Sequence, residues 1–276
     1  MKKRVLTAVC ILVPVLYLAG WSPPWLFMAA LVALVEGALH EFFLIGRLAG
    51  MKPYAVMGYA AGALVCLAQW PGLENKGLLA LIIVALISLV MLAVGIWESA
   101  DLHGYSGSAA ITVLGVLYVA FNLSCLFPLR FSGLGSALAD GRQLVFLLLV
   151  VIVAGDIFAY FTGRLLGHTP MFSKVSPHKT VEGAIGGLAA SLIFGSAYAR
   201  WFWRTDDWKV ALLLALAVAV AGQAGDLTES AFKRAASLKD SGAVLPGHGG
   251  ILDRIDSMLF GAPVLWLALI LRDILH

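Results

Sequence analysis

Long apolar runs recur along the whole chain. Nine stretches carry few charges and have roughly the 17 to 25 residues that an α-helix needs to cross the hydrocarbon core of a bilayer. They lie near 5–21, 25–46, 54–70, 77–97, 109–128, 143–163, 183–201, 209–229 and 257–273. Proline, glycine and polar residues separate them, as is usual between helices. We therefore predict an all-α, polytopic integral membrane protein with about nine transmembrane helices.

The composition excludes several other classes of protein. Of the 276 residues, 61% are hydrophobic and 13% are charged, and the mean hydropathy is +0.93. Soluble domains have about a quarter of their residues charged, so a soluble or disordered chain is excluded. The three cysteines are scattered and odd in number, which argues against a disulfide framework. The net charge of +3, spread over the loops, gives no reason to expect a nucleic-acid partner.

The basic residues predict an orientation in the membrane. The cluster at residues 2–4 followed by an apolar run could also begin a cleavable signal peptide. We favour a retained first span, because every later segment is membrane-like as well. With a cytoplasmic N-terminus and nine spans, 12 of the 19 lysines and arginines face the cytoplasm, in keeping with the positive-inside rule. The two longest polar loops, about 164–182 and 230–256, then face the cytoplasm too.

These features divide the chain into three regions. Residues 1–105 hold about four N-terminal transmembrane helices, and residues 106–142 hold the fifth span and a connecting loop that is a candidate for subunit contact. Residues 143–276 form a C-terminal catalytic transmembrane region with cytoplasmic loops. The sequence shows no internal repeat of the kind found in many transporters.

Ionisable residues are most dense between Gly225 and Ser257, beside the eighth apolar run. If that run continues as a helix, one of its faces carries two carboxylates, a hydroxyl and an ammonium group. The residues on this face are Asp226, Glu229, Ser230 and Lys233. Glycines at 247, 249 and 250 then allow backbone amides to approach an anion closely.

Hard oxygen ligands and basic residues occur together in this segment. Asp226, Asp253 and Asp256 form a set of carboxylates suited to Mg²⁺. The cations that phosphate oxygens would need are Lys233, Arg234, Lys239 and Arg254. Enzymes of phosphoryl and nucleotidyl transfer typically use carboxylates, a hard metal ion and basic side chains together. The alternative is a solvated loop held by salt bridges and helix caps, which explains single residues better than it explains the whole set.

Three motifs resemble those of one enzyme family. Residues 230–234 read SAFKR, Lys239-Asp240 follow, and residues 245–256 read LPGHGGILDRID. This pattern resembles the signature of bacterial phosphatidate cytidylyltransferases, also called CDP-diacylglycerol synthases. Residues 156–167 and 176–183 extend the resemblance upstream, so that it covers roughly residues 143–257 by motif.

The resemblance implies transfer of a cytidylyl group from CTP to phosphatidate, which gives CDP-diacylglycerol and pyrophosphate for phospholipid biosynthesis. It also implies Mg²⁺, a second and monovalent cation such as K⁺, a homodimer, and a location in the bacterial plasma (inner) membrane. The catalytic residues we predict are Asp226, Lys233, Arg234, Lys239, Asp240, His248, Asp253, Arg254 and Asp256. The substrate-binding residues we predict are Asp156, Tyr160, Arg164, Ser176, Lys179, Thr180, Glu182, Glu229, Ser230, Gly249 and Gly250. Metal binding would fall to Asp226, Asp253 and Asp256.

Asp156 lies within an apolar run, where an unpaired charge is costly, so we expect a partner or a water-filled cavity beside it. Tyr160 and Arg164 share its helical face. A polar clasp between helices and a cavity that holds the lipid phosphate or the metal both remain open. Ile157-Phe158 depart from the small residues expected after this aspartate, and we expect the bulkier pair to narrow such a cavity.

The second apolar run also contains polar residues. Glu36 and His40 have the spacing of paired metal ligands, and Glu41 follows directly. Because no third ligand is evident, we interpret them as making an interhelical hydrogen bond or lying at the membrane interface.

Two other functions fit parts of the pattern. Nine spans with Asp156 and Asp226 inside the membrane are also typical of a transporter or channel. The charges of this chain concentrate in loops rather than along several spans, which argues against a transporter or channel. A CTP-dependent lipid kinase of the dolichol kinase type is closer in chemistry and would release CDP.

Overall fold

Long apolar helices dominate the computed structural model, which describes residues 12–70, 76–98, 104–136, 138–203, 207–242 and 249–275. Within these residues seven helices are long and apolar enough to cross a membrane, and an eighth, Ala55–Leu67, is shorter. Residues 12–20 are also helical, but the start of the first predicted span lies outside the described residues. The prediction of an all-α multi-pass membrane protein is confirmed, whereas the count of about nine spans stays a prediction.

We number the elements in chain order. The helices are α1 (12–20), α2 (Pro24–Leu48), α3 (Ala55–Leu67), α4 (Lys76–Glu98), α5 (Tyr105–Gly115), α6 (Asn122–Ser124), α7 (Leu126–Phe131), α8 (Gly141–Leu166), α9 (Val181–Phe202), α10 (Trp208–Ala235) and α11 (Leu252–Leu275). A π-helical segment, Val116–Phe121, joins α5 to α6. The strands β1 (Pro170–Phe172) and β2 (Ser176–Thr180) pair antiparallel between α8 and α9.

Local chemistry explains where several helices begin. Pro24 occupies the first turn of α2, where its missing N–H costs nothing. At α8, the side chain of Gln143 accepts a hydrogen bond from the backbone N–H of Asp140 at 2.8 Å. At α9, the hydroxyl of Thr180 accepts one from the N–H of Gly183 at 3.1 Å.

The described helices pack as two compact units. The N-terminal unit comprises Met1–Phe127 and Phe232–Arg254, and the C-terminal unit comprises Pro128–Ala231 and Ile255–His276. The predicted regions 1–105, 106–142 and 143–276 concern function rather than packing, and they stay a prediction.

The N-terminal unit is built around α2 and α3. A side chain at Gly58 of α3 would collide with the ring of Phe43, and one at Gly62 would lie 2.6 Å from Leu39. Glycines at such points let two helices approach closely, which strengthens van der Waals packing inside a membrane. Tyr118, in the π-helical segment, completes an aromatic cluster with Phe42 and Phe232, with ring centroids 5.2 to 5.5 Å apart.

Small residues hold α8 against α9 in the C-terminal unit. A Cβ at Gly187 would lie 2.7 Å from the carbonyl oxygen of Gly155 and 2.9 Å from the Cβ of Ala159. One turn earlier, a Cβ at Gly183 would lie 3.1 Å from the Cα of Gly163. Because these residues recur every four positions, each helix presents a continuous stripe of small residues to the other. Asp156 and Lys179 take their positions from this contact and from the β1–β2 hairpin at its end.

Candidate functional site

A cavity of about 620 Å³ lies within the C-terminal unit. This volume is in the range of small-molecule sites. Six of the residues predicted for the site line it, namely Asp156, Tyr160, Arg164, Lys179, Thr180 and Asp226. They come from α8, the end of β2 and α10. Of the two alternatives left open for Asp156, the structure shows that it lines a cavity, and a role of that cavity for the lipid phosphate or the metal stays a prediction.

An ion pair joins two of these lining residues. The Nζ atom of Lys179 lies 2.5 Å from a carboxylate oxygen of Asp226, and each side chain is 31% exposed. Lys179 comes from β2 and Asp226 from α10, so the pair connects the hairpin to the helix. Since both side chains remain accessible from the cavity, a bound anion can compete for the ammonium group.

Two further carboxylates lie in the same electrostatic environment. Asp156 and Asp256 both interact with Asp226 and with Lys179, and they repel each other. The backbone N–H of Ser257 donates to one oxygen of Asp256 at 2.6 Å. Three carboxylates thus interact electrostatically with Lys179, and Asp226 is the one that forms the ion pair described above. Carboxylates grouped in this way favour a cation.

The donor set suits a hard metal ion by chemistry. Asp226 and Asp256 supply carboxylate oxygens, which Mg²⁺ prefers, and Lys179 already places a cation beside Asp226. In the described part of the chain, no group of three or more His, Cys, Asp or Glu side chains stands at metal-binding spacing. Asp226 and Asp256 are therefore the residues of the C-terminal unit that could hold Mg²⁺.

The hairpin and the start of α9 are fixed by Glu182. Its carboxylate accepts hydrogen bonds from the backbone N–H groups of His168 and Thr169, each at 3.2 Å. Thr180 caps α9, and a side chain at Gly167 would collide with Thr180. Both predicted substrate-binding residues thus have structural contacts that hold Lys179 at the cavity. Ser176, also predicted for substrate binding, pairs with Phe172 across the hairpin.

Near Asp156 on α8, some side chains line the cavity and others point away from it. Arg164 donates a hydrogen bond to the hydroxyl of Tyr160 at 2.9 Å, and both line the cavity. Ile157 and Phe158 do not line it; both side chains are exposed, and the ring of Phe158 packs against Phe194 with centroids 5.4 Å apart. The expected narrowing of the cavity by Ile157-Phe158 is therefore wrong, because consecutive helical residues point in different directions.

Most of the signature segment (residues 230–256) belongs to the N-terminal unit, where it makes its own set of contacts. The Nζ atom of Lys233 lies 2.6 Å from one oxygen of Asp253, and these side chains are only 11% and 12% exposed. Asp253 also accepts hydrogen bonds from the backbone N–H groups of Ser241, at 3.0 Å, and Gly250, at 2.8 Å. Gly249 has φ +80°, a conformation that favours glycine. The carboxylate of Asp253 thus binds backbone groups on both sides of residues 243–248, which lie outside the described residues.

The structure describes most of the remaining predicted residues in less detail. Arg234 donates to the carbonyl oxygen of Leu238 at 2.8 Å. Glu229 is fully buried on α10. Lys239, Asp240 and Arg254 are exposed, and Ser230 is partly exposed. His248 lies outside the described residues.

Helix α10 confirms that four predicted polar residues share one face. It continues to Ala235, so Asp226, Glu229, Ser230 and Lys233 do share a helical face. Their ionic partners nevertheless differ, because Asp226 pairs with Lys179 in the C-terminal unit and Lys233 pairs with Asp253 in the N-terminal unit.

Some polar lining residues were not among the predicted site residues. His178 of β2 is exposed, and it also lines the cavity. Gln223 lines it from α10 and donates to the carbonyl oxygen of Ala184 at 3.0 Å. A lone amide inside an apolar run, one turn before Asp226, was the available signal for Gln223.

In the second predicted span, Nδ1 of His40 lies 3.0 Å from the hydroxyl of Tyr59 on α3. The interpretation of this histidine as an interhelical hydrogen-bonding residue is confirmed.

Comparison with known proteins accounts for these features together. The model of the cytidylyltransferase family matches residues 2–271. A phosphatidate cytidylyltransferase of Staphylococcus haemolyticus is 33% identical over 279 residues, covering 98% of this chain and 99% of that protein. The enzyme of the same name from Staphylococcus saprophyticus is 34% identical with the same coverage, and that of Bacillus subtilis is 44% identical over 48% of this chain and 49% of its own length. These matches show that the chain belongs to the cytidylyltransferase family.

Proposed function

We propose that this chain is a phosphatidate cytidylyltransferase, which converts CTP and phosphatidate to CDP-diacylglycerol and pyrophosphate. A phosphate oxygen of phosphatidate forms a bond to the α-phosphorus of CTP, and the bond from that phosphorus to the bridging oxygen of pyrophosphate breaks in line. A phosphate monoester is already an adequate nucleophile, so the reaction needs no strong general base. The names of the relatives and the chemistry of the cavity support this proposal.

The cavity of the C-terminal unit is the observation that carries the proposal. Its lining combines apolar side chains such as Val151, Ile152 and Val218 with the cations Arg164 and Lys179. A phospholipid substrate needs both kinds of surface, since its acyl chains are apolar and its phosphate group is doubly charged.

Within this cavity the residues take separate roles. Lys179 and Arg164 bind phosphate oxygens, and Tyr160 orients Arg164 through their hydrogen bond. Thr180 and Glu182 hold the hairpin so that Lys179 faces Asp226. Asp156 keeps the cavity polar at a depth where water would otherwise be excluded.

We assign the signature segment to the nucleotide and to the leaving group. Lys233, Arg234, Lys239 and Arg254 would neutralise the triphosphate, as basic residues do in nucleotidyl transfer. Asp226 and Asp256 of the C-terminal unit would hold Mg²⁺, and Asp253 of the N-terminal unit is a further proposed carboxylate ligand for a cation. A monovalent cation such as K⁺ is part of the same proposal. When bound, Mg²⁺ supplies charge neutralisation between the attacking phosphate and the departing pyrophosphate.

The surroundings of the enzyme are also part of the proposal. Its substrate lipid places it in a bacterial inner membrane, with the N-terminus and the loops at 164–182 and 230–256 in the cytoplasm, where CTP is available. We further propose a homodimer, which the mass of the detergent-solubilised protein tests directly, once the mass of bound detergent is subtracted.

Pyrophosphate release by the purified protein tests the reaction. The protein in detergent is given CTP, Mg²⁺ and phosphatidate, with each omitted in turn, and the lipid product is identified by mass. We expect pyrophosphate and a CDP-lipid in equal amounts, both dependent on phosphatidate and Mg²⁺. Release of CDP would instead identify a lipid kinase, and no consumption of CTP with any lipid would point to a transporter.

A further inference from the structure

Glu41 of α2 is a carboxylate buried inside the N-terminal unit, with 1% of its surface exposed. One oxygen accepts a hydrogen bond from the backbone N–H of Ile251 at 2.9 Å, and the other accepts from the N–H of Leu252 at 2.8 Å. The hydroxyl of Ser241 donates to the second oxygen at 2.9 Å. A single side chain of α2 thus binds both ends of the segment between Ser241 and α11.

These contacts satisfy groups that a helix leaves without internal partners. Leu252 is the first residue of α11, and the first N–H groups of a helix have no carbonyl to bind within it. A negative charge is also favoured at a helix N-terminus by the helix dipole. Glu41 therefore acts as a cap for α11 that is supplied by a distant part of the chain. Without these donors a buried carboxylate would be very unfavourable.

The surrounding segment is shaped to admit this carboxylate. A side chain at Gly250 would collide with Glu41 and with the hydroxyl of Ser241, and a Cβ at Gly242 would lie 2.6 Å from Glu41. Both glycines leave the space that the carboxylate fills.

Ser241 connects Glu41 to Asp253. Its hydroxyl donates to Glu41, and its backbone N–H donates to Asp253. Gly250 also donates to Asp253 and is followed directly by Ile251, which donates to Glu41. The two carboxylates therefore hold the same short stretch of backbone from opposite sides, and movement of one displaces the donors of the other.

We propose that Glu41 is a positioning residue for cytidylyl transfer, which fixes the signature segment so that Asp253 stays aligned with Lys233. The inference rests on the proposed role of Asp253 and Lys233 in the site. It gives a helix of the N-terminal region a specific part in the reaction, beyond crossing the membrane.

Hydrogen exchange and kinetics of Glu41→Gln test the proposal. The amide group keeps the shape of the side chain but loses the charge and one acceptor, so one backbone N–H is left facing a donor. We expect faster exchange in peptides covering 241–254, and a fall in kcat of about tenfold or more with little change in the KM for CTP. Glu36→Gln is the matched control, because it makes the same change on α2 five residues earlier, and we expect it to leave both quantities at wild-type values.

A second variant keeps the test decisive if Glu41→Gln does not fold. Ser241→Ala removes only the hydroxyl that binds Glu41 and keeps the backbone N–H on Asp253. We expect a smaller fall in kcat, and we expect the double variant to be no worse than Glu41→Gln alone, since both changes break the same link. Unchanged exchange, unchanged kcat or strictly multiplicative effects would each overturn the proposal.

Asp253→Asn separates this inference from the proposed function. If that variant turns over at the wild-type rate, the assignment of Asp253 to the site is the part that fails. If it is inactive while Glu41→Gln is as active as the wild type, the positioning role of Glu41 fails alone.

Discussion

Lys179 and Lys233 each face a carboxylate, but they are buried to different extents. The Lys179–Asp226 pair is about a third exposed, whereas the Lys233–Asp253 pair is almost fully enclosed. An accessible ion pair contributes little to stability, because water screens it and both side chains lose freedom. A buried pair is costly to break, because the remaining charge is left without a partner. We therefore expect substitutions at the two lysines to have different consequences.

Lys179→Met should lower turnover by two orders of magnitude or more, on the order of 3 kcal/mol of transition-state stabilisation. The midpoint of thermal unfolding in detergent should stay close to that of the wild type, since the pair is accessible. Lys174→Met is the control, because Lys174 is an exposed lysine in the same hairpin. Equal activity of the two variants would remove Lys179 from the site.

Asp253→Asn should nearly abolish pyrophosphate release while the protein remains in the membrane. Asparagine has the same shape but cannot balance the charge of Lys233 or serve as a strong metal ligand. Asp207→Asn is the control. Asp207 accepts a hydrogen bond from the backbone N–H of Val210 at the start of α10, and asparagine is an equally good helix cap, so we expect wild-type turnover. Wild-type turnover of Asp253→Asn would contradict the role assigned to this carboxylate.

At the scale of elements, helix ends carry the functional side chains. Asp226 and Lys233 lie in the last third of α10, Asp253 lies in the first turn of α11, and Lys179 lies two residues before α9. The apolar middle of each helix anchors it in the membrane. The cap of α9 is local, since Thr180 supplies it, whereas Glu41 of α2 caps α11. Substitutions in these caps should therefore change the site without preventing insertion.

Gly250→Ala should destabilise the N-terminal unit by about 1 to 3 kcal/mol, because the added methyl group meets Glu41 and Ser241 in a packed environment. Activity should fall together with stability. Gly107→Ala is the matched control, since a Cβ there meets only Met51 at 3.9 Å and alanine is favoured within α5. Thermal unfolding of both variants in the same detergent compares them, and an equally stable Gly250→Ala would contradict the packing described for this glycine.

Thr180→Ala should cost about 0.5 to 2 kcal/mol through loss of the cap of α9. Thr180→Ser keeps the hydroxyl and should retain most of the stability. Because Lys179 precedes this cap, we expect the alanine variant to lose activity as well. The measurement is the midpoint of thermal unfolding of the wild type, Thr180→Ser and Thr180→Ala, which should fall in that order. A serine variant as unstable as the alanine variant would exclude capping as the cause.

At the scale of the whole molecule, the number of spans decides where the C-terminus lies. Nine spans place the two termini on opposite sides of the membrane, and an even number places them on the same side. We expect the N-terminus to be cytoplasmic, because 12 of the 19 lysines and arginines then face the cytoplasm. A reporter active only in the cytoplasm, fused in turn to each end, should be active at residue 1 and inactive at residue 276. Activity at both ends would exclude nine spans.

Much of the protein could be predicted from its sequence. The helices follow from the long apolar runs, because the backbone inside a bilayer must satisfy its own hydrogen bonds. The residues of the signature indicated the chemistry, and Asp156 indicated a cavity. The small-residue stripes of α8 and α9 recur every four residues, so periodicity could also have located that contact.

The partners of the charged residues were decided by the tertiary structure. Periodicity places Lys233 on the same face as Glu229, but it pairs with Asp253, 20 residues away. Glu41 binds Ser241, 200 residues distant, and Gln223 donates to the carbonyl oxygen of Ala184, 39 residues away. A helical pattern specifies the direction in which a side chain points, and the packing of helices determines what it meets there. The sequence by itself therefore determined the membrane helices and the class of reaction, whereas the pairing of each charge depended on which helix ends lie together, because ionic contacts form over a few ångströms that no spacing along the chain encodes.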